Sequence, residues 1–522
     1  MNKKQLSDII EVILDPMQGK EFYNRKRLKA VLDKINIITL DMHIYNGTPQ
    51  EKIVRIVNNY VKRNVVFRRN YLDKFYGTKD KFDKKELIYR TAYAALIKNE
   101  AVCSGYTEAV RVLLAYYGIK SKTIITKIPR RLHEASCHYL KAVFLDDGSI
   151  KLLDPERQQY CEKKGYDFQE YLEKLLEEEL IKTKKEYNTK YFNKIFVVVL
   201  EPNTGDVLAL SGKQIVKVGN SYKVYDYAPG TFLNAYTSGS VVKGASHIVG
   251  YNTNSLKIGE KRNDTCLKIG NISKCSWTYL GYINDIDALK MSSNTYQFRT
   301  AINVGKGKYT YGKALSIDKN AFNIYRKVFN DFGLGTKTGI DLENESIGYV
   351  GTSTLPGLLL DLSIGQYDTY TPLQLAQYIS SLATGKRMKV RLVNKISENK
   401  DIKIIDEVEL NKIETEKKYL DRVKLGFKEV VSSGLGYGYM YYKGAGKTGT
   451  AESFIDSDND GIIDAPTITK TFVGYFPYDE PKYAYSIVAP DISYASGYES
   501  NITQRISYNL TKKIYEMYLK NT

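Results

Sequence analysis

The sequence predicts an α+β protein of two domains behind a short helical extension, and three observations carry that prediction. Its 522 residues correspond to several domains at about 150 residues each. The hydrophobic period changes near Lys190, from helical spacing to β-rich runs around Pro/Asn/Gly turns. Helical stretches and hairpin signals occur on both sides of that point, with no internal repeat. Hydrophobic residues at 43% and charged residues at 26% allow large cores, which excludes disorder, collagen or coiled coil as a description of the whole chain.

Residues 1–40 form the extension, with Ile9, Ile10, Ile13 and Leu14 at helical spacing. Residues 41–187 read as helices followed by strands. Cys103 opens a helix on which Ala109, Val110, Leu113, Leu114 and Tyr117 recur, and Gly118 stops it. Cys137–Leu145 alternates as a strand, Asp146-Asp147-Gly148 turns, and Ser149–Asp154 returns. Phe168–Lys185 closes the domain as a charged amphipathic helix whose Glu177-Glu178-Glu179 run reads as a solvated face. Residues 190–522 open with a hairpin, Ile195–Leu200 and Val207–Leu210 around Glu201-Pro202-Asn203-Thr204-Gly205. They end with another, Thr471–Tyr475 and Tyr483–Ala489.

Lys plus Arg exceed Asp plus Glu by 77 to 59, and the resulting +18 favours anionic surroundings. Nucleic acid, anionic lipid and anionic wall polymer fit that field equally. No nucleic-acid motif accompanies it, so nucleic acid is not an expected partner. The run Ile195–Leu200 is far short of the ~20 residues a membrane helix needs, and Asp8 and Glu11 interrupt any signal-like stretch in Met1–Leu14. Five cysteines are too few for a disulfide scaffold. Cys266 and Cys275 flank a polar loop, and both a bond after export and two free thiols stay open.

A cysteine at a helix N-terminus feels the helix dipole, which favours thiolate, although inert buried cysteines sit there too. The turn after Cys137–Leu145 puts His138 and Asp154 opposite or diagonal on adjacent strands. A carboxylate there fixes the imidazole tautomer and stabilises its protonated form, as a cysteine nucleophile requires. Cys103-Ser104-Gly105-Tyr106, Cys137-His138-Tyr139-Leu140 and Leu153-Asp154-Pro155 resemble the transglutaminase-like superfamily of papain-type cysteine enzymes across roughly residues 45–165. The resemblance implies a papain-like transglutaminase-type domain with nucleophile Cys103, base His138 and orienting Asp154. Leu140 stands where family members commonly carry Trp, and His133, beside Arg130-Arg131-Leu132, ranks below His138. The readings for this domain are a thiol amidase or peptidase on wall peptides, an acyl-transferring cross-linker, or a scaffold.

Three further motifs follow in order. Ser240 and Lys243, three apart on a helical stretch, share a face, so the amine can take the hydroxyl proton. Ser292-Ser293-Asn294 opens the helix Thr295–Val304. Lys447-Thr448-Gly449-Thr450 follows Gly444-Ala445-Gly446, and Gly449 is expected to let a substrate backbone approach a strand edge. The ordered set S-x-x-K, S-x-N, K-T-G is far more specific than its parts. It resembles the penicillin-binding protein transpeptidase domain, as do its flanks Glu201–Leu210, Phe332-Gly333-Leu334-Gly335, Ser363-Ile364-Gly365-Gln366, Thr371-Pro372-Leu373-Gln374 and Phe472-Val473-Gly474-Tyr475.

That resemblance implies a serine β-lactamase/penicillin-binding transpeptidase-type fold, an antiparallel sheet flanked by helices. It implies nucleophile Ser240, general base Lys243, proton relay Ser292 and donor-peptide ligand Asn294. Lys447 and Thr448 would bind the substrate carboxylate, and the backbone N–H groups of Ser240 and Thr450 would form the oxyanion hole. Peptidoglycan stem peptides, β-lactams, a glycosyltransferase of the wall machinery and a membrane surface are the implied partners. The location is extracytoplasmic, at the outer face of the bacterial cytoplasmic membrane, with an upstream anchor expected beyond this chain. The alternatives are a serine β-lactamase, a β-lactam sensor and a non-catalytic wall-binding scaffold. A second tripeptide, Lys337-Thr338-Gly339, leads into an acidic loop rather than a strand, and His247 is expected to be a packed helix residue. No cofactor is required, but Asp456, Asp458, Asp460 and Asp464, with the Ile462 carbonyl, are spaced to encircle a structural Ca²⁺. Thr467 replaces the usual bidentate Glu, and a solvated acidic loop is the alternative.

Overall fold

A computed structural model describes the chain apart from residues 1–2, 14–23, 43, 46, 68–87, 129–135, 145–149, 154–167, 187–190, 219–220, 399–400, 457–459, 461–462, 493–499 and 520–522. Two compact units emerge, Met1–Asp167 with Val393–Asp406, and Phe168–Leu392 with Glu407–Thr522. Among the described residues no helix is long and apolar enough to cross a membrane.

The first unit contains α1 (Lys3–Ile13), α2 (Arg25–Asp41), α3 (Gln50–Asn64) and α4 (Cys103–Tyr116). Asn24 caps α2, its side chain accepting from the Arg27 N–H at 2.9 Å. The stripes Val31/Ile35/Ile38, Val54/Val57/Val61 and Tyr106/Val110/Leu113, spaced three or four apart, share one core with Ile9. Residues 1–40 are therefore not a free extension: Ile9 is fully buried, and Gln5 Nε2 donates to the Tyr116 carbonyl at 3.1 Å. Strands β1 (Ser121–Ile128), β2 (Ser136–Phe144) and β3 (Ile150–Leu153) follow as an antiparallel meander. The strand pair Lys395–Glu398 and Asp401–Ile404 extends the sheet beyond β1, with Lys395 opposite Ile125. No local periodicity marks that addition, because its partner lies far away in sequence.

The second unit starts with α5 (Phe168–Glu186), β4 (Lys194–Leu200), β5 (Val207–Val218), β6 (Ser221–Asp226) and α6 (Lys243–Asn252). Next come the small strands β7 (Leu267–Ile269) and β8 (Ile272–Lys274), then α7 (Asn294–Val304), α8 (Pro372–Thr384) and α9 (Lys417–Ser433). It ends with β9 (Ala445–Ile455), β10 (Ala465–Phe476), β11 (Tyr483–Ile492) and α10 (Ile502–Ile514). The sheet order is β9-β10-β11-β4-β5-β6, antiparallel throughout.

The unbroken apolar run of β4 has a simple cause. Ile195, Val197 and Val199 enter the core beneath α5 and α10, while Val198 and Leu200 meet Leu373 and Ala376 of α8 on the other face. An antiparallel strand covered on both sides cannot alternate apolar with polar. The sheet flanked by helices fits the expectation for this part of the chain. Helix α8 is itself set by a capping box, Thr371 with Gln374, and by Pro372 in its first turn.

Helix α5, assigned by sequence to the first domain, packs with the second unit. Phe168, Leu172, Leu175, Leu176 and Leu180 share a core with Ile506 and Leu510 of α10, which moves the boundary from 187–190 to Phe168. Its glutamate run is not uniformly solvated. Glu177 and Glu178 are exposed, but Glu179 is buried and accepts from Arg505 Nε at 2.6 Å. Helical periodicity shows where an apolar face lies, not which partner covers it.

Candidate active site

Ser240 sits in a 3₁₀ turn, Gly239–Val242, that runs directly into α6 at Lys243. Positions three apart eclipse in a 3₁₀ turn, so Ser240 and Lys243 lie on one face. The turn is clamped from two sides: the Gly239 N–H donates to the Gly365 carbonyl at 2.9 Å, and Tyr378 Oη of α8 donates to the Val241 carbonyl at 2.9 Å. Against it runs β9. Gly239 has φ +61°, and a Cβ there would stand 2.6 Å from the Thr450 carbonyl. A Cβ on Gly449 would stand 2.4 Å from the Ser238 carbonyl. Serine turn and strand thus touch backbone to backbone, which only glycine permits. On the Cβ side of Gly449 the space is taken by the Ser238 carbonyl and the Thr471 hydroxyl, which are bonded to each other. Ser240 and Thr448 remain partly exposed and Thr450 exposed.

Below them two lysines are fully buried. Lys243 Nζ lies 2.8 Å from the Ser292 carbonyl, 2.7 Å from Asn294 Oδ1 and 3.2 Å from Ser292 Oγ. Lys447 Nζ, from β9, lies 2.9 Å from the same Ser292 Oγ and 2.9 Å from the Thr448 carbonyl. One hydroxyl is therefore flanked by two amines. Burial pushes Lys447 down to about 7. Burial also pushes Lys243 well below the ordinary lysine range, with the Lys447 charge adding to the fall and Asp264 opposing it. A neutral Lys243 can donate its two N–H groups to the Ser292 carbonyl and to Asn294, keeping a lone pair for a hydroxyl proton.

Ser292 holds φ +55°, left-handed backbone for a residue with a side chain. Ser293 caps α7, its side chain accepting from the Tyr296 N–H at 3.0 Å. The structure thus brings Ser240, Lys243, Ser292, Asn294 and Lys447–Thr450 to one place. Sequence reasoning missed Asp264, a buried carboxylate that accepts from the hydroxyls of Ser293 and Thr295. Only its proximity to Cys266 could have drawn attention to it.

Two other candidates have structural partners of their own. Lys337 is exposed and off the sheet, and Glu345 accepts from the N–H of Thr338 at 2.7 Å and of Gly339 at 3.3 Å. His247 is fully buried, with Nε2 3.1 Å from the Asp285 carbonyl and Nδ1 2.7 Å from Gln297 Nε2. Burial lowers its pKa to about 4, so it is a neutral packing residue.

In the first unit Cys103 is the first residue of α4, and His138 lies mid-strand on β2 opposite Thr126. Asp154 falls outside the described residues, one position beyond the last β2–β3 pair, Lys141 with Leu153. Asp458 and Ile462 of the acidic loop also lie outside them, and Asp456 accepts from the Asp460 N–H at 3.2 Å. Among the described residues no group of His, Cys, Asp and Glu is arranged to hold a metal.

The penicillin-binding protein transpeptidase domain model matches residues 195–512. Penicillin-binding protein 2A of Bacillus subtilis (strain 168) is 41% identical over 366 residues, 67% of this chain and 51% of that protein. Penicillin-binding protein H of the same organism is 38% identical over 372 residues, 68% of this chain and 52% of that protein. The chain spans about half the length of the curated relatives it matches. Penicillin-binding protein 2B from Streptococcus pneumoniae strain R6 shares the fold at TM-score 0.61 and 20% identity, covering 91% of this chain and 94% of that one. With the ordered motifs converging around one buried hydroxyl and the family model spanning most of the second unit, the chain belongs to the penicillin-binding protein transpeptidase family.

Proposed function

We propose that this protein is a serine D,D-transpeptidase of peptidoglycan, acylated at Ser240 by stem peptides and by β-lactams. The observation that carries the reading is the Ser292 hydroxyl between two buried lysine amines. Neutral Lys243 takes the Ser240 proton as Ser240 Oγ bonds to the carbonyl carbon of the penultimate D-alanine. The carbonyl π electrons move to oxygen, and the N–H groups of Ser240 and Thr450 hold that oxyanion. Ser292, bonded to both lysines, passes a proton to the departing D-alanine nitrogen as the C–N bond breaks, and the acyl group stays on Ser240. Asn294 and Thr448 orient the peptide, and Lys447 supplies positive charge toward its carboxylate. An amine of a neighbouring stem then attacks the ester, releasing Ser240 and forming the cross-link.

The Cys266–Cys275 disulfide and the wall-enzyme relatives support an extracytoplasmic site of action, at the outer face of the cytoplasmic membrane. A second, thiol-based site of transglutaminase type is proposed at Cys103, on the observation that it opens a helix packed against the strand that carries His138. Cys103→Ala with unchanged muropeptide processing would leave that unit a scaffold.

Intact-protein mass after incubation with benzylpenicillin tests the main reading. A long-lived adduct on the parent and none on Ser240→Ala is expected. An adduct that disappears as penicillin is consumed would move the reading to a β-lactamase, and no adduct on either protein would sink acyl-serine chemistry here.

A further inference from the structure

Beside Asn294 lies a segment that takes no part in the reaction as written, Asp264–Ser276. Its two strands, β7 and β8, form a hairpin around Gly270, and a disulfide joins Cys266 to Cys275 across the open end. Three links run from it into the S-x-N turn. The Cys275 carbonyl accepts from Asn294 Nδ2 at 3.2 Å, which turns Asn294 Oδ1 toward Lys243. Ser276 Oγ accepts from the N–H groups of Asn294 at 3.0 Å and Thr295 at 3.2 Å, the first turn of α7. Asp264, 4% exposed, collects on Oδ1 the hydroxyls of Ser276 at 3.0 Å, Ser293 and Thr295. An ionised carboxylate only accepts, so all three hydroxyls must point their protons inward, and Ser276 is left as an acceptor for the two backbone N–H groups.

The left-handed Ser292 sits directly before this knot. Such backbone is unfavourable for a residue with a side chain and persists only where its surroundings over-determine it. Its neighbours do so: the Ser292 N–H donates to the Leu289 carbonyl at 3.1 Å, the Ser293 N–H to the Ala288 carbonyl at 2.8 Å, and Ser293 Oγ is tied to Asp264. We propose that the disulfide-closed segment Asp264–Ser276 is a positioning element of the acylation site, acting through Ser276, the Cys275 carbonyl and Asp264 to hold Asn294 and Ser292 where one hydroxyl meets both lysines. The proposal rests on the reading of Ser240 as the acylated serine. Asp264 also faces Lys243 electrostatically, opposite in sign to Lys447.

The test uses the full chain and benzylpenicillin, resolving the saturation constant from the limiting acylation rate. The Cys266→Ser/Cys275→Ser double variant is expected to lose about tenfold or more in limiting rate with little change in saturation constant, since ångström-scale misplacement is costly. Asp264→Asn removes a negative charge that favours ammonium on Lys243, so the acid limb of its pH–rate profile should move to lower pH. A parental limiting rate in the double variant together with an unshifted profile in Asp264→Asn would overturn the proposal, even if melting temperatures fall. Should the double variant fail to fold, Ser276→Ala decides by the same measurement, since it keeps the disulfide and removes only the hydroxyl: a slowed limiting rate supports the proposal and a parental one overturns it. A parent that never acylates at Ser240 would instead end the reading on which this rests.

Discussion

The tripeptide Lys-Thr-Gly occurs twice, and the two copies behave as different chemical objects. At 447–449 it lies on β9, with Lys447 fully buried against Ser292 and Gly449 pressed on the serine turn. At 337–339 the lysine is exposed, Thr338 is buried, and the Glu345 carboxylate closes the turn. The same residues give a tuned amine in one place and a structural turn in the other. What differs is surroundings: Lys447 is buried, which lowers its amine's pKa, and Lys337 is exposed.

The largest expected effect that sharpens this contrast is on acylation. Lys447→Met should slow benzylpenicillin acylation by about 10²–10⁴-fold, the range of a lost proton-transfer or electrostatic group, while Lys337→Met should acylate like the parent. Lys447 also couples stability to pH. Lys447 titrates near 7 when folded and near 10.5 when unfolded, so the unfolded chain binds more protons between those values. Folding stability therefore rises with pH across that window, by up to about 1.4 kcal/mol per pH unit from this group. Lys447→Met should melt higher than the parent at pH 7 and lose that advantage toward pH 10.

Gly449→Ala comes next. Its Cβ would collide with the Ser238 carbonyl and the Thr471 hydroxyl, pushing β9 off the serine turn, and acylation should fall by about tenfold or more. Gly339→Ala would put a Cβ 2.9 Å from Lys389 Cγ on a backbone of φ +81°, and both costs should appear in melting rather than in acylation. Glu345→Gln should cost about 1–3 kcal/mol in chemical denaturation, because a charged acceptor of buried donors is lost, with acylation unchanged. Tyr378→Phe is the smallest, about 1–2 kcal/mol, from the lost bond to the Val241 carbonyl and the lost backbone bonds with Gly244 and Ala245. Equal acylation defects in the Lys337 and Lys447 variants would erase the distinction between the two copies.

Much of the site was legible because its motifs are local. S-x-x-K needs only one turn of helix, and S-x-N needs only a helix start. The second K-T-G reads as set apart by the acidic loop downstream of it, and there Lys337 is exposed and outside the sheet. The hairpin at Ile195–Leu200 and the closing hairpin were legible from β-rich runs around turn residues, and both recur in the sheet as β4–β5 and β10–β11. Less legible was the close packing of Gly449 against the Ser238 carbonyl. Asp264 and Ser276 went unread because their partners lie up to 31 residues away along the chain. Charge patterning placed Glu179 on a solvated face, yet Arg505, 326 residues later, draws it into the interior.

By itself the sequence determined which residues could do chemistry, where helices and hairpins begin, and the ordered motifs that mark the family. Those follow from short-range physics: capping, turn chemistry, and periods of two and about 3.6. Only the tertiary structure decided that α5 belongs with the second unit, that residues 393–406 complete the first unit's sheet, and that two lysines share one hydroxyl. Those outcomes depend on desolvation and on contacts between distant segments, and a buried amine acquires its pKa from everything packed around it rather than from its neighbours in sequence.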